Sequence, residues 1–250
     1  GTRVFDGEDM DGWIRRDYRS LARRIGVIYQ NPAEAVSHRF TVFDAVAEPL
    51  RIHELAGGRE DLEERVKRRL QDVHLSADPA FLERYPHELN MGAIQRVCMA
   101  RALILDPGLL VADEPTSSLD PSVQAKVMKL LLHLQAEMGL SLLFVTHDIG
   151  LARKISDRIA VMLAGRIVEI GPASLLLRSP RHPYTRLLLE SAAGRLPEIP
   201  PGMEAAGDPG SGCAFAPRCA RRTGACLSRA PLLAENGTRQ VACHAPLPEG

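Results

Sequence analysis

The chain has 250 residues, enough for one large domain or for one domain with an appendage. Its apolar fraction of 45% and charged fraction of 25% are those of a globular protein, and a net charge of zero excludes the basic field that nucleic-acid binders use. No apolar run approaches the roughly 18 residues of a membrane span, and the start lacks a signal-peptide pattern, which predicts a cytosolic or peripheral chain.

Taken in order, Thr2 to Phe5 reads as a short edge strand closed by an Asp6-Gly7 turn. Asp17 to Arg24 is polar and predicted helical. Ile25 to Tyr29 is a second β run ending at Gln30-Asn31-Pro32, where Pro32 is expected to stop any helix and to leave the Gln30 amide free for a ligand or a metal-bound water. Helical periodicity follows over Thr41 to Ile52 and Glu60 to Val73, separated by Gly57-Gly58, and a short helix over Asp78 to Tyr85. Residues 33–90 thus form a mostly helical insertion between strands, and the charge on its second helix reads as a solvated face.

Asn90 is a good N-cap for an apolar-periodic helix running through Leu105. A helix N-terminus can hold an anion, although a well-capped helix needs no ligand. Cys98 on this helix reads as a buried apolar residue. The apolar run Leu109 to Ala112 then ends abruptly in two carboxylates, Asp113 and Glu114. A short apolar run bounded by breakers suits a buried parallel strand, and ligands of such sheets bind beyond the carboxyl ends of the strands. One acid there can hold Mg²⁺ and its neighbour can activate water, as in phosphoryl transfer.

Pro121 starts a helix over Ser122 to Met138, with Val123, Val127, Leu130, Leu131, Leu134 and Met138 on its core face and Gly139 at its end. Leu142 to Thr146 is the next buried strand. His147 at its end is placed to contact a phosphate, with a structural role as the plain alternative. Ile159 to Leu163 and Arg166 to Ile170 flank Gly165 as a hairpin. Residues 194–212 are rich in Pro, Gly and Ala and read as a linker. Beyond it Cys213, Cys219, Cys226 and Cys243-His244 are spaced Cys-x5-Cys-x6-Cys-x16-Cys-His. In a cytosolic chain four clustered thiols suggest a metal, either a [4Fe–4S] centre or tetrahedral zinc, against a reduced set that merely packs a small extension.

Together these motifs resemble the ATP-binding subunit of an ABC transporter. Gln30 matches the Q-loop, Leu89 to Ala93 the signature, Val111 to Glu114 the Walker B strand, Ser118 to Asp120 the D-loop and His147 the switch histidine. Tyr85-Pro86-His87-Glu88-Leu89, His182-Pro183-Tyr184-Thr185 and the Cys-rich tail are similar to the oligopeptide, dipeptide and nickel importers.

The resemblance implies an α/β fold. Residues 1–32 and 91–172 would form a RecA-like P-loop NTPase core of ABC ATPase type, and 33–90 a helical subdomain ending at the signature. A C-terminal helix and linker over 173–212 would lead into a Cys-rich extension, 213–250. It implies ATP and Mg²⁺ as ligands, with Asp113 in the Mg²⁺ shell and Glu114 as general base. Gln30 would sense both metal and water, and His147 the γ-phosphate. Asn90, Gly92, Ser118 and Asp120 would act at the dimer site. It tilts the four thiols toward iron–sulfur. The implied partners are a second ATPase subunit, two membrane permeases and, indirectly, an extracytoplasmic binding protein, at the cytoplasmic face of the membrane and with no nucleic acid.

Two features depart from this pattern. None of the four lysines, Lys67, Lys126, Lys129 and Lys154, follows a glycine, so no Walker A sequence exists in the 250 residues. This leads us to expect an N-terminal truncation that removes the first strand and the P-loop, and weak ATP binding by the chain alone. The signature reads Leu89-Asn90-Met91-Gly92-Ala93 rather than Leu-Ser-Gly-Gly-Gln, which predicts a weakened or asymmetric composite site. Two rivals stay open: a catalytically dead scaffold or regulatory remnant, and a soluble ABC ATPase uncoupled from transport.

Overall fold

A computed structural model describes residues 2–195 and 212–248, so most of the stretch read as a linker lies outside the described residues. The chain forms two compact units, Gly1–Val145 and Thr146–Gly250.

The first unit opens with a hairpin, β1 (Val4–Phe5) and β2 (Glu8–Asp9), around the predicted Asp6-Gly7 turn. Helix α1 (Met10–Arg23) starts earlier than the sequence predicts, because Asp9 accepts the Gly12 N–H and caps it. The predicted start survives as a kink: Asp17 leaves helical geometry and its carboxylate accepts the Ser20 N–H at 3.0 Å. Trp13 is buried beside Phe5, with the Arg24 guanidinium 5.5 Å from both rings.

Strand β3 (Ile25–Ile28) leads through Gln30 into α2 (Pro32–Ala35). Pro32, which bars a helix from continuing into it, opens this one, since the first helical position needs no N–H and Asn31 caps the turn. The helices α3 (Val42–Ile52), α4 (Arg59–Asp72) and α5 (Pro79–Leu82) follow, then a 3₁₀ turn (Pro86–Glu88) and α6 (Met91–Leu103). Val42, Val46, Leu50, Val66, Leu70, Met99 and Leu103 are fully or almost fully buried and make the aliphatic core that the scarcity of aromatics demands. Arg101 of α6 pins this layer: its guanidinium donates to Glu48 at 2.6 Å and to the Ala35 carbonyl at 3.1 Å.

Strands β3, β4 (Leu109–Asp113) and, beyond α7 (Pro121–Met138), β5 (Ser141–Val145) form a parallel sheet in the order β3-β4-β5. Gly26 stands beside Leu110 and Ile28 beside Ala112. All four are buried, and α6 lies against β3 on this face. On the opposite face, Val27, Leu143 and Val145 are exposed. The close approach of α6 is what requires glycine at position 26. A Cβ there would stand 2.4 Å from the Ala102 carbonyl oxygen and 3.0 Å from Leu110 Cδ1. Gly26→Ala is therefore expected to cost about 1–3 kcal/mol in urea unfolding, as overpacking against backbone does.

In the second unit α8 (Ile149–Ile155) precedes a hairpin of β6 (Arg158–Leu163) and β7 (Arg166–Pro172), wider than predicted and with a register shift at Val161/Met162. Helices α9 (Ala173–Arg178), α10 (Pro183–Ala192) and α11 (Gly224–Ser228) follow, then β8 (Ala234–Asn236) and β9 (Arg239–Val241). The sheet order is β6-β7-β9-β8. The motif spacing places 158–172 in the ATPase core and 213–250 in a separate extension. Here β9 pairs with β7, so the Cys-rich segment and the hairpin share one sheet.

Candidate functional site

Parallel strands bring all their carboxyl ends to one edge. Asp113 is the last residue of β4, opposite Val145, and is exposed there. Glu114 follows with a positive φ of 42°, a conformation that costs a side-chain-bearing residue about 1–3 kcal/mol. Its backbone is held from both sides. The Glu114 N–H donates to the Val145 carbonyl at 3.0 Å, and the Ser117 hydroxyl and N–H donate to the Glu114 carbonyl at 3.1 and 3.2 Å. Two residues beyond β3, Gln30 Nε2 donates to Glu114 Oε2 at 3.1 Å. The amide and the carboxylate, 84 residues apart in the chain, thus meet at one edge, a contact the sequence did not foresee.

The loop from Glu114 into α7 is ordered by local bonds. The buried Thr116 accepts from Gln124 Nε2 at 3.0 Å and the Leu119 N–H donates to the Thr116 carbonyl at 3.2 Å. Ser118 and Asp120 are exposed on it. The Asp120 carbonyl accepts the Gln124 N–H at 2.8 Å, whereas its carboxylate makes no capping bond to α7.

Asn90 caps α6 as predicted, its Oδ1 accepting the Ala93 N–H at 2.9 Å. Met91 is exposed. Gly92 has a packing reason of its own: a Cβ would stand 2.9 Å from Val123 Cγ1 of α7. Cys98 is buried against the Pro32 carbonyl at 3.5 Å, and burial pushes its thiol up to about 12 despite the nearby Arg101 charge. It is inert core, as predicted.

His147 opens the second unit, exposed between Val145 and Asp148, the N-cap of α8. In the Cys-rich segment burial first, and then the neighbouring thiols, raise the pKa of Cys219 and Cys243; Cys213 and Cys226 act on both. Among the described residues, however, no three His, Cys, Asp or Glu side chains converge closely enough to hold a metal ion. A single four-thiolate centre is therefore not formed as the chain stands.

A buried polar anchor in this unit escaped the sequence analysis. Glu169 of β7 is fully buried and accepts the Arg181 and His182 N–H groups at 2.8 and 2.9 Å, fixing the start of α10. His182 Nδ1 caps that helix from the Tyr184 N–H at 3.0 Å, and the His182 and Tyr184 rings pack on Phe215 between Cys213 and Cys219. A glutamate in an alternating hairpin strand reads as solvent-facing, so only tertiary structure could find it.

The family described as ABC transporter matches residues 1–117, and that described as oligopeptide/dipeptide transporter, C-terminal region, matches 168–226. The di/tripeptide transport ATP-binding protein DppF of Pseudomonas aeruginosa is 38% identical over 98% of this chain and 77% of its own. The chain belongs to the ABC transporter ATP-binding family. This ABC subunit is also 37% identical to the oligopeptide transport ATP-binding protein OppF of Salmonella typhimurium, over 97% of this chain and 75% of the relative. A putative peptide import ATP-binding protein of Brucella abortus is 41% identical over 91% and 69%. Among solved structures it resembles the ATP-binding cassette MJ0796, a dimer in a post-hydrolysis state bound to ADP and Pi. The TM-score is 0.58 at 28% identity, covering 68% of this chain and 72% of the other. Among the described residues no helix is long and apolar enough to cross a membrane.

Proposed function

We propose that this ABC subunit couples ATP hydrolysis to the import of peptides, working as a peripheral protein on the cytoplasmic side of the membrane. The observation that carries the reading is the Gln30–Glu114 contact at the carboxyl edge of the sheet. The peptide-transport relatives support the solute class. The dimeric state of the MJ0796 cassette supports partnership with a second ATPase subunit, and a peptide importer would further need two permeases and a binding protein.

In this reading Glu114 takes the proton of the attacking water, and Gln30 holds the carboxylate in line while linking it to the helical segment 33–90. Asp113, exposed one residue before, offers the oxygen donor that Mg²⁺ prefers, and Mg²⁺ supplies charge neutralisation of the phosphates when bound. His147 contacts the γ-phosphate. Asn90, Gly92, Ser118 and Asp120 serve the face shared with the second subunit. The phosphate-cradling Gly-Lys element is not in these 250 residues, so the residues present fit the metal and water side of the site only.

The test is uptake of labelled di- and tripeptides in cells lacking the gene. Uptake is expected to be lost, to return with the wild-type gene and not to return with Glu114→Gln. Undiminished peptide uptake in the deletion strain would overturn the solute class.

For Cys213, Cys219, Cys226 and Cys243 we propose a [4Fe–4S] cluster, with zinc as the second reading. The four clustered cysteines of the Cys-x5-Cys-x6-Cys-x16-Cys spacing support it, and the sulfurs must draw closer to form it. Anaerobically purified protein is expected to show broad absorption near about 400 nm that disappears in a Cys219→Ser variant. Zinc by elemental analysis without that band selects the second reading.

A further inference from the structure

Gln95 is fully buried on α6, and neither its Nε2 nor its Oε1 has a hydrogen-bond partner. Because both atoms are orphaned, turning the amide over satisfies neither. An unmade bond at a buried polar group is costly, and natural interiors keep such groups only for a reason.

The surroundings fix where this amide lies. On a helix, residues three and four apart share a face, so Gly92 and Met99 flank Gln95 on one side and Cys98 on the other. The Gly92 side meets Val123 of α7, and the Cys98 side meets the Pro32 carbonyl of α2. Ala102, two turns along from Gln95, marks the level of Gly26 on β3. Because α6 runs back into β4, its N-terminal end points to the carboxyl edge of the sheet. From Ala102 to Gln95 the helix rises roughly 10 Å. From Gly26 to Tyr29 the strand rises by a similar amount, roughly 10 Å. Gln95 is therefore near the level of the carboxyl ends of β3 and β4, on a helix whose two sides meet α2, just after the Gln30 loop, and α7, just after the Glu114–Asp120 loop.

We propose that Gln95 is a positioning residue of the ATPase site. Its amide, which has no partner here, takes up a backbone partner in one of these two loops as the loaded site reaches the transition state for hydrolysis. It would thereby tie the helix that carries Asn90 and Gly92 to the Gln30–Glu114 pair. The inference rests on the ATPase reading above.

The test compares wild type with Gln95→Met, a near-isosteric apolar replacement, each expressed from the whole reading frame and assembled with its partner subunits. The thermal midpoint of the nucleotide-free variant is expected to stay the same or rise. Its KM for ATP is expected to stay within about twofold while kcat falls about tenfold, the worth of one hydrogen bond made only in the transition state. Gln95→Leu serves as a second apolar variant should Met fail to pack. An unchanged kcat in a folded variant overturns the proposal, and so does a lowered midpoint with a matching rise in KM, which marks a purely structural role. A wild-type complex that hydrolyses no ATP overturns the ATPase reading first, and this inference with it.

Discussion

Glu114→Gln is expected to lower ATP turnover by about 10²–10⁴-fold, the usual worth of a positioned general base, while nucleotide binding persists. The substitution keeps the size and the polar character of the side chain, and one amide oxygen remains to accept from Gln30 Nε2, now at 3.1 Å from the carboxylate. Its backbone bonds, from Glu114 N–H to Val145 and from Ser117 to the Glu114 carbonyl, do not involve the side chain and hold the left-handed φ in either variant. The change is thus confined to proton acceptance. Single-turnover phosphate release measures it, and retained binding of a fluorescent nucleotide shows that the site still assembles. Turnover within about tenfold of wild type would assign the base to another residue. Gln30→Ala removes the partner that orients the carboxylate and leaves the carboxylate itself, so its effect on kcat is expected to be smaller.

Much of this edge could be read in the sequence because parallel-strand chemistry leaves a local trace. Leu109 to Ala112 is a run too short for a helix and too apolar for a loop, and the acids that follow can only lie at its end. Gln30 was legible for the same reason, from the β run before it. The pairing of Gln30 with Glu114 spans 84 residues and needed the register of β3 on β4. Errors arose where a local rule was sound but a neighbouring cap overruled it. Met10, Trp13, Ile14, Tyr18 and Leu21 give α1 an apolar period, but the many charged residues between them masked it, and Asp9 caps its start. In the tail, β8 and β9 are three residues each and largely polar, so no periodicity could reveal them; their strand character comes from pairing with each other and with β7. Buried polar residues were the least legible class. Gln95 sits in a mostly apolar helix and Glu169 in an alternating strand, and their burial is a property of the packed chain alone.

His182 makes the second unit acid-labile. It is buried, with burial pushing its pKa down to about 4, and its Nδ1 accepts the Tyr184 N–H, which fixes the neutral tautomer with the proton on Nε2. The helix N-terminus it caps disfavours an imidazolium as well. A histidine whose folded pKa lies below its unfolded value of roughly 6.5 binds fewer protons when folded, so its contribution is present above that value. It is lost as pH falls from about 6.5 to about 4 and does not change further below. The full span corresponds to roughly 3 kcal/mol as an upper bound. Denaturant unfolding followed at the second unit is therefore expected to show a midpoint that drops steadily between pH 7 and about 4. His182→Asn keeps an N-capping oxygen for the Tyr184 N–H and removes the titration. Its stability is expected to be lower at pH 7, through lost packing on Phe215, yet nearly flat over the same window. A His182→Asn protein whose midpoint falls with acid as steeply as wild type would place the lability in other groups.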